Sequence, residues 1–304
     1  MVAIRSFVLL AVLTTGLAHP LTEAKRRTAP ELEALLRGNQ KFRSRIAVSG
    51  KPDFLHDLAA HGQHPPFMFL GCSDSRVDED SIFSTSLGTM FTERNIANQF
   101  HHEDANTHSV LSYAVAKLGV KHILVTGHYG CGGVAAAIET PPKPPLSGAD
   151  EAIQKWIAPI REIFQTSTRK EIVELRERNK GHDEVHEPKA DDPGFRALVE
   201  ENVKASVQEI VNDGIIGDYF KLLEKEGHNN RTAIHGDIFV HGLVYDIDNG
   251  EVRDLKVSVG PPGKEVLTTP FPPVGTKTQA IQAPKRGSRS SKKKSSAHSR
   301  KAEH

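Results

Sequence analysis

Cysteine is nearly absent from this sequence: 304 residues carry two, Cys72 and Cys131. A disulfide framework of the kind that staples small exported domains needs more of them at regular spacings, so one bridge is the most available here. A chain of this length can bury a substantial core, as one large domain or two. Net charge is almost absent too, +1 with 25% charged residues, which argues against an obligate nucleic-acid partner. No transmembrane run is present either. The one membrane-like stretch, Phe7 to Leu13, follows Arg5 and precedes the small-residue pattern Gly16-Leu17-Ala18. Too short to span a bilayer, it reads as a secretory signal peptide over residues 1–18, with a linker over 19–29. Acid is missing before Glu23, and Lys25, Arg26 and Arg27 follow, so a mitochondrial presequence is the rival reading. The absence of an amphipathic, Arg-spaced pattern favours secretion.

Internal repeats are also missing, and what remains is an alternation of apolar strands and amphipathic helices. Pro30 opens a helical run with Leu32, Leu35, Leu36 and Phe42 three or four residues apart. Strands are expected at Phe67–Gly71, Met90–Thr92 and in HILVTGH, with a helix over about Asn106–Leu118 between the last two. After the stiff PPKPPLSG break come one helix through Ile153, Trp156, Ile157, Ile160 and Phe164, a charged and weakly packed stretch EIVELRERNKGHDEVHEP, and a long stripe from Phe195 to Val211. IFVHGLVYDI and VRDLKVSV, joined by Asp248-Asn249-Gly250, read as a closing strand pair. This order predicts an α/β fold whose mainly parallel central sheet is flanked by helices. From Gly275 to the C-terminus the chain loses periodicity. Between Lys285 and Lys301 lie eight Lys or Arg residues and no acid, a basic tail over 275–304 expected to be disordered and able to contact anionic polymers.

In a parallel sheet the chemistry gathers at the carboxyl ends of the strands. Cys72 and His128 each stand just past such an end, and Cys131 follows His128 in the glycine-rich HYGCGG. Two readings of the cysteines stay open at this point. They form one disulfide, or, with His128, they are thiolate and imidazole ligands of zinc, three protein ligands being the mark of a catalytic rather than a structural site. Asp74 stands two residues past Cys72, within reach of the fourth metal position or of a metal-bound water. Arg76 is placed to hold its carboxylate by a two-pronged hydrogen bond. The bland alternative for that pair is an ordinary helix-terminal ion pair.

CSDSRV at 72–77, RNIAN at 94–98, SYAVAKLGVKHILVTGHYGCGG at 112–133 and VHGLVYDIDNG at 240–250 together resemble the β-class carbonic anhydrases. The resemblance implies a catalytic domain over 30–262 and one zinc ion held by Cys72, His128 and Cys131. It implies Asp74 and Arg76 as the catalytic dyad, and carbon dioxide and bicarbonate as substrates in a zinc-hydroxide mechanism. It further implies a bicarbonate contact from Gln63, pocket walls from Phe91, Ile96 and Tyr113, a backbone contact at Gly132, and a homodimer or higher even oligomer with the pocket at its interface. Departures from the family pattern are Leu87-Gly88-Thr89 before the second strand, Glu93 beside Arg94, and a long 141–192 segment. Two rival functions are a carbon disulfide or carbonyl sulfide hydrolase on the same fold and a non-catalytic secreted zinc-binding protein closed by Asp74.

Overall fold

The computed structural model describes residues 29–49, 51–226 and 236–277. The expected signal peptide, all but the last residue of the linker, and the tail from residue 278 lie outside the described residues. The chain divides into two compact units, Met1–Gly62 and Gln63–His304.

In the first unit, α1 (Pro30–Val48) starts on a proline, whose missing N–H costs nothing where a first-turn donor has no helical partner anyway. None of its residues is buried, and Leu32, Leu35 and Leu36 are 59%, 70% and 60% exposed. The short α2 (Phe54–His61) ends at Gly62, which takes a positive φ of 73°.

The second unit is built on five strands: β1 (Phe67–Cys72), β2 (Met90–Asn95), β3 (His122–His128), β4 (Phe239–Asp246) and β5 (Glu251–Asp254). Their order in the sheet is β2-β1-β3-β4-β5, parallel throughout except for the antiparallel β4–β5 pair. The central strands are buried on both faces, which is why they read as continuous apolar runs rather than alternating ones. The chain leaves β1 toward β2 on one side and leaves β3 toward β4 on the other, so a crevice opens between the carboxyl ends of β1 and β3.

Between strands run α3 (Glu79–Phe83), α4 (Ala105–Tyr113), α5 (Gly132–Ile138), α6 (Gly148–Trp156), α7 (Ala158–Thr166), α8 (Lys170–Asn179), α9 (Pro193–Asn212) and α10 (Gly214–Glu226). Asp104 caps α4 by accepting from the Asn106 and Thr107 N–H groups, and Asp192 caps α9 in the same way, with Pro193 in the first turn. A wider turn over Ala114–Leu118 continues α4, so the helix expected over Asn106–Leu118 is present with its last turn loosened. The helix expected through Ile153 and Phe164 is broken at Ile157, because Pro159 lacks an N–H and fits only in a first turn.

The stretch read as weakly packed is in part a firm element. On α8, Ile172 and Leu175 are buried, and Arg169 just before it pairs with Glu200 and Glu201 of α9. Glycine lets α9 lie close against the sheet: a Cβ on Gly127 would sit 2.5 Å from Val203, and one on Gly242 would sit 3.3 Å from Val207. An apolar cluster that includes Met68, Ile123, Val125, Val203 and Val240 fills this layer between sheet and helix.

Candidate metal centre and active site

Cys72 is the last residue of β1, His128 the last of β3, and Cys131 the residue from which α5 starts. Parallel pairing of β1 with β3 brings them together at the crevice. All three are buried, and one ligand atom from each lies within 4.8 Å of the others. The two sulfurs are 3.9 Å apart and the cysteines are free. A disulfide holds its sulfurs at about 2.05 Å, whereas two thiolates on a tetrahedral zinc at about 2.3 Å each stand about 3.8 Å apart. The donor set therefore has the spacing of a metal centre and not of a bridge.

The hydrogen bonds around the cluster point the same way. His128 Nδ1 lies 3.1 Å from the carbonyl of Tyr129. A carbonyl only accepts, so Nδ1 carries the proton and Nε2 presents its lone pair, fully buried and with no hydrogen-bond partner. The backbone N–H of Ala97 donates to Cys72 Sγ at 3.4 Å. The Cys72 thiol is held far below its ordinary pKa, chiefly by a hydrogen bond from the Cys131 thiol and also by His128, while Cys131 holds its own proton tightly for the same reason. Two sulfur donors, one of them already held as thiolate, and an orphaned imidazole lone pair fit a divalent cation such as zinc, whose binding would displace the Cys131 proton.

Beside the cluster, Arg76 grips Asp74 with three bonds: Nε to Oδ1 at 2.9 Å, Nη2 to Oδ2 at 2.7 Å and its own backbone N–H to Oδ1 at 2.9 Å. Arg76 Nη2 also reaches the Gly130 carbonyl at 3.2 Å, tying the pair to the loop after β3. The guanidinium bond holds the Asp74 carboxyl down at about 2. Asp74 Oδ2 lies 3.8 Å from His128 Nε2, so the carboxylate stands next to the cluster as a permanent acceptor.

A family model described as carbonic anhydrase matches residues 67–252. A carbonic anhydrase from Emericella nidulans is 33% identical over 68% of this chain and 75% of its own length. The chain belongs to the β-class carbonic anhydrases. Among solved structures, the β-carbonic anhydrase of Coccomyxa, determined with acetazolamide, is 28% identical with a TM-score of 0.59, covering 76% of this chain and 89% of that one. One of two tetrameric β-carbonic anhydrases from Sordaria macrospora is 27% identical with a TM-score of 0.58, covering 76% and 100%.

The remaining residues that the sequence singled out fall into two groups. Ile96 and Gly132 lie beside the cluster. Ile96 is 41% exposed and its side chain lies over Gly133, while Gly132 faces open space. Phe91 is aligned with Met68 near the amino end of the sheet, whereas Cys72 is aligned with Asn95. Four residues of strand, about 13 Å, separate those levels. Tyr113 stacks on Phe91 with ring centroids 5.7 Å apart, and Gln63 is exposed ahead of β1. Within one β-carbonic anhydrase chain these three therefore stand apart from Cys72.

Arg94 and Glu93 were noted in the sequence without a role at the site. Arg94 donates to the Cys72 carbonyl at 2.9 Å and the Asp74 carbonyl at 2.7 Å, fixing the loop that carries both. It sits in the RNIAN motif, so the signal was visible. Glu93 is buried and accepts from Asn106 Nδ2 at 3.0 Å; burial pushes its carboxyl up.

Proposed function

We propose that this β-carbonic anhydrase hydrates carbon dioxide reversibly to bicarbonate and a proton, using one zinc ion per chain on Cys72, His128 and Cys131. The observation that carries the zinc reading is the buried, unpartnered His128 Nε2 facing two thiols at metal-ligand spacing. Bound zinc supplies Lewis-acid activation that lowers the pKa of a water to about 7. The chain's own residues do the rest. Asp74, kept ionised by Arg76, accepts a hydrogen bond from the attacking water and so turns its lone pair toward carbon dioxide. Arg76 in turn restricts the carboxylate to one orientation. Ile96 and Gly132, at the open side of the cluster, form the near wall for an apolar substrate.

Gln63, Phe91 and Tyr113 complete the pocket from a second copy of the chain. Their distance from Cys72 within one protomer supports this reading, as does the exposed leucine stripe of α1. A dimer or a multiple of dimers follows, in keeping with the tetramers from Sordaria macrospora. We assign the catalytic domain to residues 30–262, secretion to the segment 1–18, and a loose tether to anionic polymers to the basic tail. Metal analysis with a stopped-flow carbon dioxide hydration assay tests the core of this function. One zinc per chain and rapid hydration are expected; a metal-free or inactive preparation overturns it. Light scattering that finds an active monomer removes the shared pocket.

A further inference from the structure

Two backbone groups touch the metal cluster from behind, and both are held by one helix. Ala97 donates its N–H to Cys72 Sγ. To do so it takes a positive φ of 62°, followed by Asn98 at 48°, a left-handed conformation that is unfavourable for a non-glycine residue. Something must hold it there. Asn202 of α9, buried and 105 positions away in sequence, donates from Nδ2 to the Ala97 carbonyl at 2.8 Å. On the other ligand, the Tyr129 carbonyl fixes His128 through Nδ1. Tyr129 is clamped from α9 as well: its hydroxyl donates to Glu200 Oε1 at 2.7 Å, and the Arg196 guanidinium lies 3.4 Å over its ring. Glu200 is itself anchored by Arg169 at 2.7 Å, and Arg196 by Asp246 at 2.8 Å.

We infer that α9 is the positioning element of the metal centre, with Asn202 setting the Cys72 thiolate through Ala97 and Glu200 setting the His128 imidazole through Tyr129. Neither side chain touches the ligands, and each acts through a peptide group that does. Polar side chains on the buried face of an otherwise apolar helix are expensive unless each has a task. Two of them, two residues apart, reach different ligands of the same cluster. The inference rests on the reading that the cluster binds zinc.

The test measures zinc affinity by chelator competition, together with the sulfur-to-metal absorption of the cobalt(II)-loaded protein, which reports ligand geometry directly. Two variants carry it: Asn202→Ala and the near-isosteric Tyr129→Phe, which keeps the ring under Arg196 and removes only the bond to Glu200. Partners that orient metal ligands typically change affinity by about 10- to 100-fold. That loss is expected for Asn202→Ala, with a smaller one for Tyr129→Phe and a shifted cobalt band in both. Val207→Ala, buried on the same helix and remote from Ala97 and Tyr129 in the bonding network, serves as the control. It should lower the melting temperature while leaving zinc affinity within about twofold of the parent. Wild-type affinity in folded Asn202→Ala and Tyr129→Phe overturns the inference, and so does an equal loss in Val207→Ala. A parent protein that binds no zinc overturns the underlying reading instead.

Discussion

The two ends of β3 each carry a histidine, and the two are treated in opposite ways. At the amino end His122 is half-buried, stacked between Phe67 and Phe239, and bonded through Nδ1 to His241 Nε2 at 3.0 Å; His241 in turn meets Ser258 Oγ at 2.9 Å. Every nitrogen of His241 has a partner, and burial, then His122, holds its pKa down to about 4. At the carboxyl end His128 is more deeply buried, yet one nitrogen is satisfied and the other is left open. Burial by itself does not mark a functional imidazole. An unmet lone pair beside two thiols does, because leaving a buried polar atom unpaired costs about 1–3 kcal/mol unless a ligand completes it.

The contrast is broken most severely at the carboxyl end. Cys131→Ser removes one of three donors from an ion whose binding to small zinc domains is worth about 10–16 kcal/mol in total. The expected outcome is a loss on the order of 10³-fold in zinc affinity, with activity lost in parallel, measured by metal content and stopped-flow hydration. A variant that keeps both is incompatible with the ligand assignment. Arg76→Ala comes next. It releases Asp74 from both side-chain bonds while leaving every metal donor in place, so activity should fall about 10²- to 10³-fold, the scale for losing one positioned polar group. Zinc content should not change, and near-normal turnover would show that the dyad has no catalytic part.

The amino end yields a pH effect instead. The folded-state pKa of His241, about 4, lies below its ordinary 6.5, so the unfolded chain binds the extra proton between those values. The stability that neutral His241 contributes is therefore present above about pH 6.5 and is lost as pH falls toward 4. A shift of that size corresponds to about 3 kcal/mol. Urea unfolding of the parent and of His241→Leu across pH 4–8, at one fixed zinc concentration, should show a flatter profile in the variant over that window. Parallel profiles would mean that the histidine pair does not govern acid sensitivity.

The three residues that could hold a metal, and the strands that bring them together, were legible in the sequence because both are local signals: apolar runs that end in Cys72 and in His128. It disclosed less where one residue governs a distant partner. Pro159 was visible, yet the stripe through Ile153 and Phe164 still read as one helix, since its periodicity hardly changes across the break at Ile157. The segment around Glu171 looked unpacked because few apolar residues, Ile172, Val173, Leu175 and Val185, interrupt a charged run, and its anchor, Arg169, pairs with residues about 30 positions away. Asn202 and Glu200 were hidden in a stripe read for its apolar members. Their polarity within that stripe was the available sign, and their partners Ala97 and Tyr129 are set by tertiary contact alone.

The close parallel pairing of β1 with β3 also dictates when the three residues that could hold a metal come together. The cluster draws one sulfur from the end of β1 and its other two donors from the end of β3 and the turn after it, and these strands are joined by a long crossover through β2 and α4. Such non-local pairing comes late, because loop-closure entropy opposes it until the sheet is assembled. A chain stalled before β3 docks holds Cys72 apart from His128 and Cys131, with none of the contacts that lower its pKa. On the proposed zinc reading, metal capture would report completed assembly of the sheet and not nucleate it, and during refolding it should lag behind the burial of Met68 and Ile123.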